Sequence, residues 1–286
     1  MDCMLREWTR ADTSALLRVP TADDDKYSRG VVGLRTGSAA YPGAAVLGVE
    51  AAWRSGAGYV LYTGDARDAV LARRPETVAR AEAGRTRVGA WVIGSGTDAG
   101  QRDDRERDAL LALLRGDAAV VVDAGALDLA ANATAPTVLT PHAGEFARLR
   151  ARLGLDEREL AGEDARIAAV GETARHLRAT VLLKGADTVI SGPDGDPIVV
   201  RHAPPWLSTA GTGDVLGGVI AAMIAADPDR PLVESAAAAV WLHAHAAARA
   251  SGTARGRSDG AGVAGHPIVA LDVAEALPGA IGELLS

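Results

Sequence analysis

The sequence predicts an α/β protein, a three-layer αβα sandwich whose central sheet is mainly parallel and carries an antiparallel meander at one edge. Short β-branched runs alternate with longer Ala/Leu/Arg segments, as in βαβ units whose sheet is covered on both faces. A hydrophobic fraction of 48% over 286 residues supports a large core, and an aromatic fraction of 3% means that core is built from Ala, Val, Leu and Ile. A glycine-rich turn at Ser208-Thr-Ala-Gly-Thr-Gly-Asp214 runs directly into an apolar helix.

The elements follow in order. Val-Val-Gly-Leu-Arg at 31–35 reads as a strand, and the Ala-rich stretch 44–56 as a helix ending at Ser55-Gly56. Strands follow at 58–63 and 89–93, a Leu-rich helix at 102–115, and strands at 118–122 (Ala-Val-Val-Val) and 137–140. Helices at 144–152 and 160–178 precede three short runs, 180–184, 187–191 and 197–201. Gly192-Pro-Asp-Gly195 sits between the last two as a turn, which makes these runs the antiparallel meander. Apolar helices close the chain at 213–226, 232–250 and 271–285. Residues 1–25 and 252–267 are polar or glycine-rich and read as a tail and a mobile loop, leaving 26–286 as one domain.

Composition excludes several classes of function. A net charge of −7 without a basic patch argues against nucleic acid or an anionic membrane as partner, and no stretch has the apolar length of a membrane span. Cys3 is the single cysteine, so neither an internal disulfide nor a thiolate metal cluster can form, and the absence of a leader-like start fits the cytoplasm. There is no P-loop spacing and no His-Glu-x-x-His helix. His243 and His245, two apart on one helix, point to different faces and are assigned to structure.

The chemistry concentrates at the carboxyl ends of the strands, where open α/β sheets bind ligands. Gly211, Thr212 and Gly213 offer unpaired N–H groups and the positive end of a helix dipole to an anion. A carboxylate beside phosphate repels it, so Asp214 makes sense there as a base for a substrate hydroxyl; the same four residues also fit a turn with Asp214 as an ordinary N-cap. Only Lys26 and Lys184 among 30 basic residues are lysines. Lys184 ends a strand and opens Lys184-Gly-Ala-Asp-Thr188, where ammonium and backbone can both meet a nucleotide. Four more strand ends converge there: Gly37-Ser38 with Tyr41 and Ala44; Gly94-Ser-Gly96; Asp123; and Thr140-Pro-His142-Ala-Gly-Glu145. Singly, these are a common turn, a helix cap at His142 or a loop anchor at Asp123; together they describe a site.

In this order, Lys26…Gly30, Gly37-Ser…Tyr41-Pro-Gly-Ala-Ala, Arg54-Ser-Gly-Ala-Gly-Tyr-Val60, Gly94-Ser-Gly96, Val122-Asp-Ala-Gly-Ala-Leu127, Thr140-Pro-His-Ala-Gly-Glu145, Lys184-Gly and Thr209-Ala-Gly-Thr-Gly-Asp-Val-Leu-Gly217 make the chain from about residue 26 to 285 resemble the ADP-dependent NAD(P)H-hydrate dehydratases, a ribokinase-like family. The resemblance implies repair of (6S)-NADHX and NADPHX with ADP as phosphate donor and Mg²⁺. It further implies that Asp214 is the base and Gly211, Thr212 and Gly213 the anion hole. Lys184, Gly185, Ala186, Asp187, Thr188 and Gly213 would contact the adenylate, and Ala44, Gly96, His142 and Asp214 the hydrated dinucleotide, with Gly37, Ser38, Tyr41, Gly94 and Asp123 further members of the site. Glu145 would organise Mg²⁺ through water.

The chain departs from the family at Gly125, where the family often has Asp, and at Ala210, where it often has Gly. Family and Ala-rich helices together imply a homotetramer, and the chain's length implies a separate NAD(P)HX epimerase as partner. Two rivals are a vitamin-precursor kinase of the same superfamily, which tends to have Asn where His142 stands, and a non-catalytic adenylate-binding sensor.

Overall fold

The computed structural model describes residues 5–156, 160–253 and 264–286, and Cys3 lies outside them. The strands are β1 (Arg6–Glu7), β2 (Val31–Arg35), β3 (Tyr59–Tyr62), β4 (Val78–Ala79), β5 (Ala90–Ile93), β6 (Ala119–Val122), β7 (Thr137–Leu139), β8 (Thr180–Leu183), β9 (Thr188–Ser191) and β10 (Ile198–Val200). The α-helices are α1 (Arg10–Leu16), α2 (Pro42–Arg54), α3 (Arg67–Arg73), α4 (Asp104–Leu114), α5 (Ala143–Arg152), α6 (Glu163–Leu177), α7 (Thr212–Ala226), α8 (Leu232–Ser251) and α9 (Ala270–Leu285).

These strands form one sheet in the order β1-β10-β9-β8-β7-β6-β5-β2-β3-β4. The pairs β8–β9 and β9–β10 are antiparallel, which is the expected meander, and the other pairs are parallel. Buried apolar side chains divide into two clusters. One joins the sheet to α2, α7, α8 and α9, and the other joins it to α4, α5 and α6, so helices cover both faces.

The expectation of an N-terminal tail over 1–25 does not hold from residue 5 onward. Arg6–Glu7 adds a strand outside the meander, paired with Ile198–Val199, and Trp8 is buried. Helix α1 opens with a capping box in which the Thr9 hydroxyl and the Asp12 carboxylate satisfy each other's backbone N–H groups. The segment is polar because α1 is short and buries only Thr13 of its own residues, so composition concealed its place in the fold. In the expected loop 252–267, residues 254–263 lie outside the described residues; beyond them Trp206 Nε1 donates to the Ala264 carbonyl and His266 N–H to that of Ser251. Helix α3 and strand β4 were unanticipated, being seven and two residues long.

Two features of this fold position the site. The register sets Ile93 opposite Val122 and Val122 opposite Leu139, so the residues that follow, Gly94, Asp123 and Thr140, leave the sheet side by side. Helix α7, buried on every side from Val215 to Ala225, crosses the sheet on glycine. A Cβ at Gly217 would stand 3.2 Å from Val92 Cγ1, and one at Gly218 would stand 2.3 Å from the Gly48 carbonyl oxygen of α2. That contact of backbone on backbone fixes the depth at which the first turn of α7 meets the strand ends. Gly218→Ala is therefore expected to lower stability by about 1–3 kcal/mol through overpacking, measurable as a reduced denaturant midpoint with an unchanged m-value.

Candidate active site

The centre of the site is a buried carboxylate. Asp123, 3% exposed, follows β6 directly; its Oδ1 accepts from Thr140 Oγ1 at 2.8 Å and Lys184 Nζ at 2.9 Å, and its Oδ2 from Ser95 Oγ at 3.1 Å. These partners come from the ends of β5, β7 and β8, so one side chain ties four neighbouring strands together. Burial opposes ionisation of Asp123 more than any other influence, but the Lys184 charge and the three hydrogen bonds outweigh it and hold the carboxyl below its ordinary pKa. Lys184 is thus no loose lysine at a strand end: 22% exposed, it also reaches to 4.0 Å from Glu145 Oε2. Lys26, the other lysine, packs over the rings of Tyr27 and Tyr59 at the start of β2 and β3 and takes no part in the site.

Gly94 lets Asp123 sit where it does. At φ +93°, its position for a Cβ falls 2.1 Å from the Asp123 carbonyl oxygen, which no side chain could occupy. A Cβ at Gly96 would stand 2.4 Å from that of Ala44, and the Gly37 N–H donates to the Ser95 carbonyl at 2.7 Å. The expected dinucleotide contacts Ala44 and Gly96 therefore lie against each other, with Gly37, Ser38 and Tyr41 on the adjoining loop.

Across from Asp123 stands the first turn of α7. Gly211 is its N-cap in the left-handed region at φ +89°, with no side chain capping the turn, so the N–H groups of the expected anion hole are not claimed by a cap. Asp214 is the third residue of the helix, which removes the reading of it as an N-cap. No hydrogen bond holds its carboxylate among the described residues. Burial pushes its pKa up to about 6, the Asp123 charge adds to that, and the Lys184 charge opposes it. A position for a Cβ on Gly213 lies 3.3 Å from Lys184 Nζ, so the ammonium and the helix N-terminus face one space.

His142 is the N-cap of α5, as its position after β7 suggested. Its Nδ1 accepts from the N–H groups of Gly144 and Glu145, and Glu145 Oε2 accepts from the His142 N–H at 2.9 Å. These bonds place the ring proton on Nε2, which lies 3.5 Å from Glu145 Oε2. On the other flank, the turn after β8 holds Gly185 to Asp187: the Ala186 carbonyl accepts from the Ala203 N–H, and Asp187 pairs with Arg201 and accepts from the His202 N–H. Thr188 is buried at the start of β9.

Sequence reading missed Ser95 and Thr140 as ligands of Asp123, although both stand inside the motifs it singled out. It also assigned His243 to structure alone. That imidazole is buried on α8 beside the Thr212 backbone, behind the anion hole. Burial pushes its pKa down to about 4, with the Lys184 charge acting the same way and the Thr212 backbone opposing, so it is neutral at pH 7. His245 instead meets Glu283 of α9 at 2.9 Å.

A family model described as NAD(P)H-hydrate dehydratase matches residues 32–258. The chain belongs to that family. It is 44% identical over 246 residues to the bifunctional NAD(P)H-hydrate repair enzyme Nnr of Mycobacterium leprae, a match covering 83% of this chain and 49% of that protein. The chain thus spans about half the length of its mycobacterial relatives. It is 35% identical over 247 residues to the ADP-dependent (S)-NAD(P)H-hydrate dehydratase of Neisseria meningitidis, covering 79% and 78% of the two chains. The crystal structure of the ADP/ATP-dependent NAD(P)H-hydrate dehydratase of Bacillus subtilis, co-crystallised with ATP and Mg²⁺, superposes with a TM-score of 0.80 at 27% identity over 98% of each chain. The fold is accordingly the ribokinase-like one.

Lys184→Met would leave Asp123 buried without its cation. It is expected to cost roughly 3 kcal/mol, read by urea unfolding. Asp214 has the opposite effect. Its folded pKa exceeds the unfolded one, so its contribution is present below about pH 4 and is lost as pH rises through about 6. Asp214→Asn should therefore raise the melting temperature at pH 7.5 and leave it nearly unchanged at pH 4.

Proposed function

We propose that this protein is an ADP-dependent dehydratase that returns (6S)-NADHX and (6S)-NADPHX to NADH and NADPH, releasing AMP and phosphate. The observation that carries the reading is Asp214, a carboxylate with a raised pKa and no hydrogen-bond partner among the described residues, in the first turn of α7 beside uncapped N–H groups and facing Lys184. A phosphate site needs no such acid unless a proton must be removed there.

The steps follow from that placement. Asp214 takes the proton of the C6 hydroxyl, and the oxygen attacks the β-phosphorus of ADP while the bond to the AMP oxygen breaks. The N–H groups of Gly211, Thr212 and Gly213 face the charge gathering on the transferred group. Lys184 balances the nucleotide phosphates beside Gly213 while remaining paired with Asp123. The C6 phosphate is a far better leaving group than hydroxide. The ring nitrogen's electron pair expels it, and loss of a proton from C5 restores the ring double bond. Ala44, Gly96 and His142 form the wall against which the nicotinamide lies.

Among the described residues no cluster of three acidic, His or Cys side chains would cage a metal, but Mg²⁺ held by nucleotide phosphates and water needs only one or two carboxylates. Glu145, with one oxygen engaged at the cap and 4.0 Å from Lys184, fits that role through water. Mg²⁺ so held would neutralise phosphate charge. No helix among the described residues is long and apolar enough to cross a membrane. A homotetramer, a cytoplasmic setting and an epimerase activity that supplies the S epimer complete the proposal.

Purified protein given hydrated NADH, Mg²⁺ and ADP or ATP should restore the absorbance of the reduced nicotinamide. Asp214→Asn should lower kcat by at least about 10³-fold while retaining nucleotide binding. Recovery without nucleotide, or full activity in Asp214→Asn, would refute the mechanism. The rate should decline below about pH 6 as Asp214 becomes protonated, and that acidic limb should be visible in kcat/KM.

A further inference from the structure

The face of α5 beyond Glu145 carries cations that the chemistry above does not use. A cavity of about 430 Å³ opens between this face and the loops bearing Tyr41 and Thr97-Asp98, and Glu145, Arg148 and Arg152 all line it. Arg148 and Arg152 are four residues apart and share one side of the helix, about 4.5 and 10 Å along its axis past Glu145. Both are exposed, and neither has an acidic partner among the described residues.

The neighbouring arginines differ. Arg150 faces the core against Glu172 and Thr173, Arg102 is paired with Asp128, and Arg35 with Glu106. The acids of the cavity are largely committed, Asp128 to Arg102, Glu145 to the cap of α5, and Asp98 to the Gly100 N–H. Gly125 adds no carboxylate to this wall: a Cβ there would stand 2.3 Å from the Thr97 carbonyl oxygen. The cavity therefore runs from Glu145, which stands 4.0 Å from Lys184, to two guanidiniums that have no acidic partner among the described residues, a group suited to bidentate contact with phosphate.

We infer that Arg148 and Arg152 form a phosphate subsite for the part of the hydrated dinucleotide that lies outside the reacting ring. The inference rests on the dehydratase reading and extends it, because a substrate whose ring meets Asp214 and His142 must run outward from the α5 N-terminus. Its pyrophosphate, or the 2′-phosphate of the NADPH form, supplies the anion.

The test compares wild type with Arg148→Gln, Arg152→Gln and the double variant. Calorimetric titration with NADPH and NADH, and separately with ADP, gives affinities that require no turnover. The double variant should lose about tenfold or more in affinity for NADPH and nothing for ADP, and in turnover the loss should fall on KM for the hydrated dinucleotide. An equal loss for NADH and NADPH assigns the pyrophosphate; a loss confined to NADPH assigns the 2′-phosphate. Unchanged affinity for both dinucleotides in the double variant would overturn the subsite. Inactive wild type that still binds NADPH through these arginines would instead overturn the dehydratase reading and leave the subsite standing.

Discussion

The ion pair between Asp123 and Lys184 is the constraint on which the rest of the site depends. A carboxylate that is 3% exposed persists as an anion only because Ser95, Thr140 and Lys184 converge on it, and those three residues sit at the ends of three other strands. The sheet register thereby becomes a chemical specification. A slip of one residue between β6 and β7 would carry Thr140 away from Asp123 and leave the charge short of a partner. The same pair keeps the Lys184 ammonium beside Gly213, where a nucleotide phosphate would need it.

The protein then uses the Asp123 charge a second time. That anion raises the pKa of Asp214 across the site, while Lys184 pulls the other way, and burial supplies the larger share of the shift. Two carboxylates near one ammonium are thus driven apart, one held as a permanent anion and the other poised as a base. Behind them neutral His243 of α8 lies beside the Thr212 backbone, so the first turn of α7 is backed by α8 as well as by the glycine contact with α2. The turn that presents the N–H groups is built into three helices rather than suspended in a loop.

How much of this was legible depended on the range of the signal. The long Ala-rich helices and the Val-rich strands declared themselves through composition, and the strand-end motifs named Asp123, His142, Lys184 and Asp214. Residues 6–16 escaped because a two-residue strand and a helix burying one side chain have little pattern of their own; pairing with β10 gives them their place. Partnerships across the sheet were equally hidden. Thr140 and Ser95 look like ordinary turn residues until the register aligns them with Asp123, and His243 looks like any core histidine until α8 packs behind α7. The reading of His142 as a cap and its reading as part of the site proved compatible: the ring caps α5 through Nδ1 and leaves Nε2 facing outward beside Glu145.

In the proposed mechanism Asp214 drives phosphoryl transfer to the substrate's C6 oxygen before that oxygen leaves the ring. Hydrated NADH carrying ¹⁸O at the C6 hydroxyl, turned over with unlabelled ADP in unlabelled water, tests it in one measurement by mass spectrometry of the released phosphate. The expected result is one ¹⁸O atom per phosphate formed and none in the water. Label recovered in water, with phosphate unlabelled, would mean that the hydroxyl departs directly and that nucleotide hydrolysis and dehydration are separate events, contradicting the role assigned to Asp214.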